Sequence, residues 1–133
     1  MKAWIIDDEQ PSLDEIAWLL KQYSDFELVG LETNPLRALD AIVKCPPDVI
    51  FLDIDMPKLD GLELALRIQE KCPGVIIIFV TAYTQYALES FKAHPFDFLL
   101  KPVRQARMDD CICHLRKHYA LLHPDEAAKC GLT

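Results

Sequence analysis

The strongest constraint on this chain is an alternation: five short apolar segments, each followed by a stretch with helical spacing. Residues 3–6, 26–31, 49–52, 75–80 and 96–100 have strand length and are rich in β-branched, aromatic and other apolar residues. After the first, Leu13, Ile16, Ala17 and Leu20 recur at helical spacing, with Pro11 suited to a first helical turn where its missing N–H costs little. Asn34-Pro35 repeats that start signal before Leu36, Leu39 and Ile42, and Pro46-Pro47 stops the second helix. Asp60-Gly61 opens a third through Leu62, Leu66 and Ile68. Thr84 can cap a fourth through Ala87, Leu88 and Phe91, and Met108, Ile112, Leu115 and Tyr119 mark a fifth. Strands separated by helices predict a mostly parallel sheet covered on both faces, because parallel neighbours need right-handed crossovers. The expectation is a doubly wound α/β fold with its reactive groups outside the carboxyl ends of the strands.

A chain of 133 residues suits one domain, and 51% hydrophobic beside 26% charged residues is a soluble globular balance. A net charge of −7 argues against direct nucleic-acid or anionic-membrane binding, which rests on Lys and Arg neutralising phosphates. The five cysteines (45, 72, 111, 113 and 130) lack framework spacing, and Met1-Lys2-Ala3-Trp4 does not begin a signal-peptide pattern. A reducing cytoplasm with free thiols is expected. The longest apolar run, 75–80, is too short for a bilayer but suits a strand buried on both faces. The domain is expected over residues 1–119, with 120–133 a helix end, linker or tail.

Four strand ends carry chemistry: Asp7 and Asp8 follow the first strand, Asp53 ends the third, Thr81 the fourth and Lys101 the fifth. Carboxylates can hold a hard divalent cation while one attacks phosphorus; a hydroxyl and an ammonium can bind phosphoryl oxygens. Magnesium suits the set because it prefers oxygen ligands and keeps several waters, with Asp8 and Asp53 as direct ligands. Without it the carboxylates repel one another and at least one pKa rises, so metal binding is expected to depend on pH.

IIDDEQ at 5–10, FLDIDMPKLDGLEL at 51–64, FVTAY at 79–83 and FDFLLKPV at 96–103 stand in the order of the response-regulator receiver signatures. Over roughly residues 2–119 the chain resembles that family of two-component signalling domains. The resemblance implies a flavodoxin/receiver-like fold with strand order 2-1-3-4-5 and five helices. Asp53 resembles the phosphorylated aspartate, Asp8 its metal ligand, Asp7 a partner acting through metal-bound water, and Asp55 the donor of a backbone carbonyl. Thr81 resembles the switch hydroxyl, Lys101 the phosphoryl-binding lysine, Pro102 the residue of a cis peptide bond, and Phe98 the aromatic switch. It also implies Mg2+ with Mn2+ as a substitute, a sensor histidine kinase as donor, and output by partner binding or homodimerisation through the fourth helix, fifth strand and fifth helix. Such a domain is a switch rather than an enzyme, limited to its own phosphorylation and slow dephosphorylation. TAYTQYALESF before FDFLLKPV is most similar to receivers that precede LytTR-type DNA-binding domains, which implies transcription control through a C-terminal domain beyond this chain.

Other readings stand beside these. Asp40, Asp48 and Asp60 read as solvated charges or caps, and Glu9 as either an N-terminal helix charge or a water-mediated metal neighbour. Cys111, His114 and His118 share a helical stripe with metal-ligand potential, but Cys111 also fits the buried face beside Met108 and Leu115, and a structural thiol with surface histidines is the favoured reading. Asp53-Ile54-Asp55 has the spacing of haloacid-dehalogenase-like phosphatases, but Met56 stands where a hydroxyl residue is expected and Asp7-Asp8 would have no role. An unphosphorylated interaction module is the third reading; it would not need the acidic set or the lysine that this chain retains.

Overall fold

The computed structural model describes residues 1–57, 59–85 and 91–124. Its order is β1 (Lys2–Ile6), α1 (Gln10–Leu20), β2 (Glu27–Glu32), α2 (Pro35–Lys44), β3 (Val49–Asp53), α3 (Gly61–Lys71), β4 (Ile76–Thr81), a 3-10 turn (Phe91–Ala93), β5 (Asp97–Leu100) and α4 (Gln105–Leu122). The strands form one parallel sheet in the order β2-β1-β3-β4-β5, the expected doubly wound arrangement. Most of the expected fourth helix, from Thr84 through Phe91, lies at 86–90, outside the described residues. The last helix, α4, is the fifth in the sequence-based series.

Local signals set the helix starts. Asn34 Oδ1 accepts from the backbone N–H groups of Leu36 (3.0 Å) and Arg37 (3.3 Å), with Pro35 opening α2. Asp60 Oδ1 accepts from Leu62 N at 2.7 Å at the start of α3. Each cap satisfies backbone donors that the first helical turn leaves unpaired. Asp60 thus has the role its sequence context suggested, while Asp40 pairs with Lys44 in solvent and Asp48 accepts from Lys2 N.

β3 is buried along its whole length, as the central strand of a sheet covered on both faces must be. Toward α2 and α3, Ile6, Ile50, Leu52, Ile77 and Phe79 share a core with Ala38, Ile42, Leu64, Ala65 and Ile68. The alternate residues Ala3, Ile5, Phe51, Ile78 and Val80 are buried too, as are Leu13, Ile16, Ala17 and Leu20 of α1. Both faces of the central strands are therefore dry, while the edge strands β2 and β5 leave Val29, Leu31 and Leu100 exposed. At the β1–β2 irregularity Trp4 stands opposite Gly30, and a Cβ at Gly30 would lie 2.0 Å from the indole. Glycine is required there by close approach.

The chain divides into two compact units, Met1–Pro102 and Val103–Thr133. In the second, Met108, Cys111, Ile112 and Leu115 of α4 are buried at helical spacing, whereas Cys113 and His114 are exposed. The helix continues three residues past 119 to Leu122, and the Tyr119 ring stacks on His123 at 4.3 Å. None of the four described cysteines forms a disulfide, and no helix among the described residues is long and apolar enough to cross a membrane.

Candidate functional site

Strand register assembles the site. Ile6, Leu52, Phe79 and Phe98 form one row across β1, β3, β4 and β5. One residue further, Asp7 leaves β1 and Asp53 ends β3; one further still, Thr81 ends β4 opposite Leu100, and Lys101 follows β5. Residues 94 positions apart are thereby held within a hydrogen bond of each other. Asp7, Asp53 and Thr81 are 2%, 6% and 0% exposed, the buried polar residues among those described.

Lys101 Nζ donates to Asp7 Oδ2 at 2.7 Å and lies 3.7 Å from Asp53 Oδ2. The ammonium therefore rests on Asp7 and only leans toward Asp53. Asp7 Oδ1 accepts from Glu9 N at 3.0 Å, and Asp53 Oδ1 accepts from Asp55 N at 3.3 Å. Burial and the neighbouring Asp7 charge push the Asp53 carboxyl up to about 7, although Lys101 and the Asp55 N–H pull the other way. For Lys101, burial disfavours the ammonium, but the hydrogen bond to Asp7 and the charges of Asp53, Asp7 and Glu9 outweigh it and raise the pKa. Carboxylate crowding exceeds what one lysine compensates.

A hard cation fits what remains. Asp7, Asp8 and Asp53 each offer a carboxylate oxygen, all within 4.8 Å of one another, and Asp8 Oδ1 is buried without a hydrogen-bond partner among the described residues. An orphaned buried carboxylate oxygen is costly unless something positive occupies its lone pairs. Oxygen-only donors at this spacing suit magnesium or manganese better than zinc or copper.

The remaining expected residues surround this group. Thr81 Oγ1 accepts from Tyr83 N at 3.3 Å, and the Thr81 carbonyl accepts from Lys101 N at 2.7 Å, tying the two strand ends together. Asp55 is exposed beside Asp53. The Lys101-Pro102 bond is cis. Phe98 is half-buried against the core shared by β3, β4 and α3. Glu9 stands at the N-terminal boundary of α1 without a side-chain cap bond.

Sequence inspection noticed Gly61 only as a helix start. Its amide donates to the Ile54 carbonyl at 2.9 Å, and a Cβ there would lie 2.2 Å from the Asp53 carbonyl oxygen. The missing side chain lets α3 begin against the backbone that carries Asp53, so Gly61 positions the site. The available signal was a glycine at the first position of a helix, eight residues after a strand-end aspartate.

Comparison with known proteins agrees with the geometry. The sequence model of the family described as response regulator receiver domain matches residues 3–112. An uncharacterized response regulatory protein of Yersinia pestis is 41% identical over 88% of this chain and 49% of its own length. The transcriptional regulatory protein BtsR of Escherichia coli K12 is 39% identical over 88% of this chain and 48% of its own. The chain thus spans about half the length of the curated relatives it matches. The crystal structure of the response regulatory domain of Klebsiella pneumoniae protein mrkE superposes with a TM-score of 0.77 at 37% identity, covering 88% of this chain and 93% of that one.

Proposed function

The chain belongs to the response regulator receiver domain family, and on that premise we propose that it is a two-component signalling switch phosphorylated on Asp53 by a sensor histidine kinase. The observation that carries this reading is Asp53 itself: a buried strand-end carboxylate between two further carboxylates and an ammonium.

One Asp53 carboxylate oxygen attacks the phosphorus of a phosphohistidine in line, and the imidazole leaves with the electrons of the broken P–N bond. Asp7, Asp8 and Asp53 would hold Mg2+, or Mn2+ in its place, which when bound neutralises charge on the transferring oxygens. Asp55 would add its backbone carbonyl to that set. Lys101, 3.7 Å from Asp53, needs only a small movement to contact a new phosphoryl oxygen. Thr81 turns its hydroxyl toward the same group, giving up the hydrogen bond from Tyr83 N. Since Lys101 N binds the Thr81 carbonyl, that movement bears on β5, and Phe98 follows by moving inward against the core.

Output is a shift in partner binding or homodimerisation through the fourth helical segment, β5 and the last helix, with Pro102 shaping the turn between the last two. The receiver domain spans residues 1–119, working in the cytoplasm. BtsR is named a transcriptional regulatory protein, and this chain spans 48% of it. That name supports transcription control, and the resemblance of residues 81–103 to receivers that precede LytTR-type domains adds the reading of a C-terminal DNA-binding domain of that type.

Intact mass after treatment with acetyl phosphate and magnesium tests the reading. One hydroxylamine-labile phosphoryl group is expected on the wild type and none on Asp53→Asn or without magnesium. No adduct, with a second receiver confirming the donor, would leave a phosphorylation-independent interaction module.

A further inference from the structure

A cleft of about 420 Å³ opens beside the acidic group, lined by Asp8, Thr33, Asn34, Pro35, Arg37, Met56 and Pro57. Its volume lies in the range of small-ligand sites. Asp8 and Met56-Pro57 border the phosphoryl-accepting position, whereas Thr33 to Arg37 belong to the β2–α2 turn and the first turn of α2. The lining is chemically divided. Asp8 is an acid whose buried Oδ1 has no hydrogen-bond partner among the described residues, Pro35, Met56 and Pro57 are apolar, and Arg37 is the one cation among the described lining residues.

The Arg37 guanidinium is exposed and makes no ion pair or side-chain hydrogen bond among the described residues. Lys101, by contrast, is occupied by Asp7. A phosphodonor that carries its own negative charge must approach a chain of net charge −7 toward a group of three carboxylates. A spare cation on the wall of an open cleft that borders Asp8, one of those three carboxylates, counters that repulsion and raises the local concentration of anions there.

Building on the assignment of Asp53 as phosphoacceptor, we infer that Arg37 on the wall of this cleft is a specificity-determining residue for phosphoryl transfer, favouring dianionic small phosphodonors over less charged ones. Transfer from acetyl phosphate balances without a proton. Asp53 forms its O–P bond while the P–O bond to the acetyl group breaks, and acetate leaves with the electron pair. Arg37 acts on approach and orientation and touches neither bond.

The test compares acetyl phosphate with phosphoramidate, which carries less net negative charge near neutral pH, at saturating magnesium. Arg37→Gln should lower the second-order rate constant for acetyl phosphate by about three- to tenfold and that for phosphoramidate by clearly less, with a shallower dependence on salt. Arg37→Lys should restore most of the acetyl phosphate rate, because it keeps the charge. An equal loss for both donors, no loss, or a loss that the lysine variant shares would overturn the inference. No adduct on the wild type from either donor would sink the Asp53 assignment and this inference with it, whereas normal wild-type labelling beside an unaffected Arg37→Gln sinks the inference alone.

Discussion

At the scale of single residues the site is a balance of charges. Asp53 has its carboxyl pushed from 3.8 to about 7, so between those values the folded protein holds a proton that the unfolded chain has released. Stability therefore falls as pH rises through that window, and the loss is complete above it. Asp53→Asn removes the cost and should stabilise the divalent-free protein by about 1–3 kcal/mol above pH 7, with little effect near pH 4. Urea unfolding of both proteins across that range checks it; a constant difference would mean that Asp53 ionises normally. Lys101 stands on the other side of the balance. Lys101→Met leaves Asp7 buried without its 2.7 Å partner and should cost about 1–3 kcal/mol in divalent-free buffer. Part of that loss should return with magnesium, since a cation replaces the missing charge. Thermal melts with and without the metal would expose a purely steric origin, for which magnesium would make no difference.

At the scale of elements, Gly61 decides how closely α3 approaches β3. Gly61→Ala places a Cβ 2.2 Å from the Asp53 carbonyl oxygen, against backbone rather than a yielding side chain. Relief requires the start of α3 to move, at a cost of about 1–3 kcal/mol, and Asp53 moves with it. Gly74 has nothing within 4 Å, so Gly74→Ala is the matched control, expected within about 0.5 kcal/mol of wild type. Magnesium affinity should drop for the first and hold for the second; equal affinities would remove Gly61 from any role in the site. The pair also marks what sequence can and cannot disclose. Periodicity located every strand within a residue or so because short apolar runs set between helical stretches mark strands, most plainly at β3, which is buried along its length, and Asn34 and Asp60 were legible as caps because capping is local. Asp7, Asp8, Asp53, Thr81 and Lys101 were legible because parallel strands deliver their ends to one edge. Gly61 was not, since its reason is a backbone 2.2 Å from an atom it does not possess. Nor was the resting hydrogen bond of Lys101 to Asp7, because the choice between two neighbouring carboxylates depends on distances that strand order leaves open.

For the whole molecule, fold stability and the proposed phosphoryl transfer are coupled through the same carboxylates. Packing of Ile50, Leu52, Phe79 and their neighbours holds Asp7, Asp8 and Asp53 together although their charges oppose it. A divalent cation binding the folded site must therefore stabilise the whole fold, by an amount that grows with the logarithm of its concentration. The cation competes with the proton that Asp53 retains up to about pH 7. Its apparent affinity should rise by up to about tenfold per pH unit below that value and level off above it. At one fixed, subsaturating magnesium concentration the rise in Tm should consequently be small at pH 5.5, larger at pH 6.5 and nearly constant beyond pH 8. Asp53→Asn should flatten this profile, because the titrating ligand is gone, and should also bind the metal more weakly. Differential scanning calorimetry across that pH series, with calcium-free buffers and a chelator blank, separates the cases. A magnesium effect with the same pH profile in the Asp53→Asn variant would place the competing proton on another group and uncouple metal binding from the proposed phosphoacceptor.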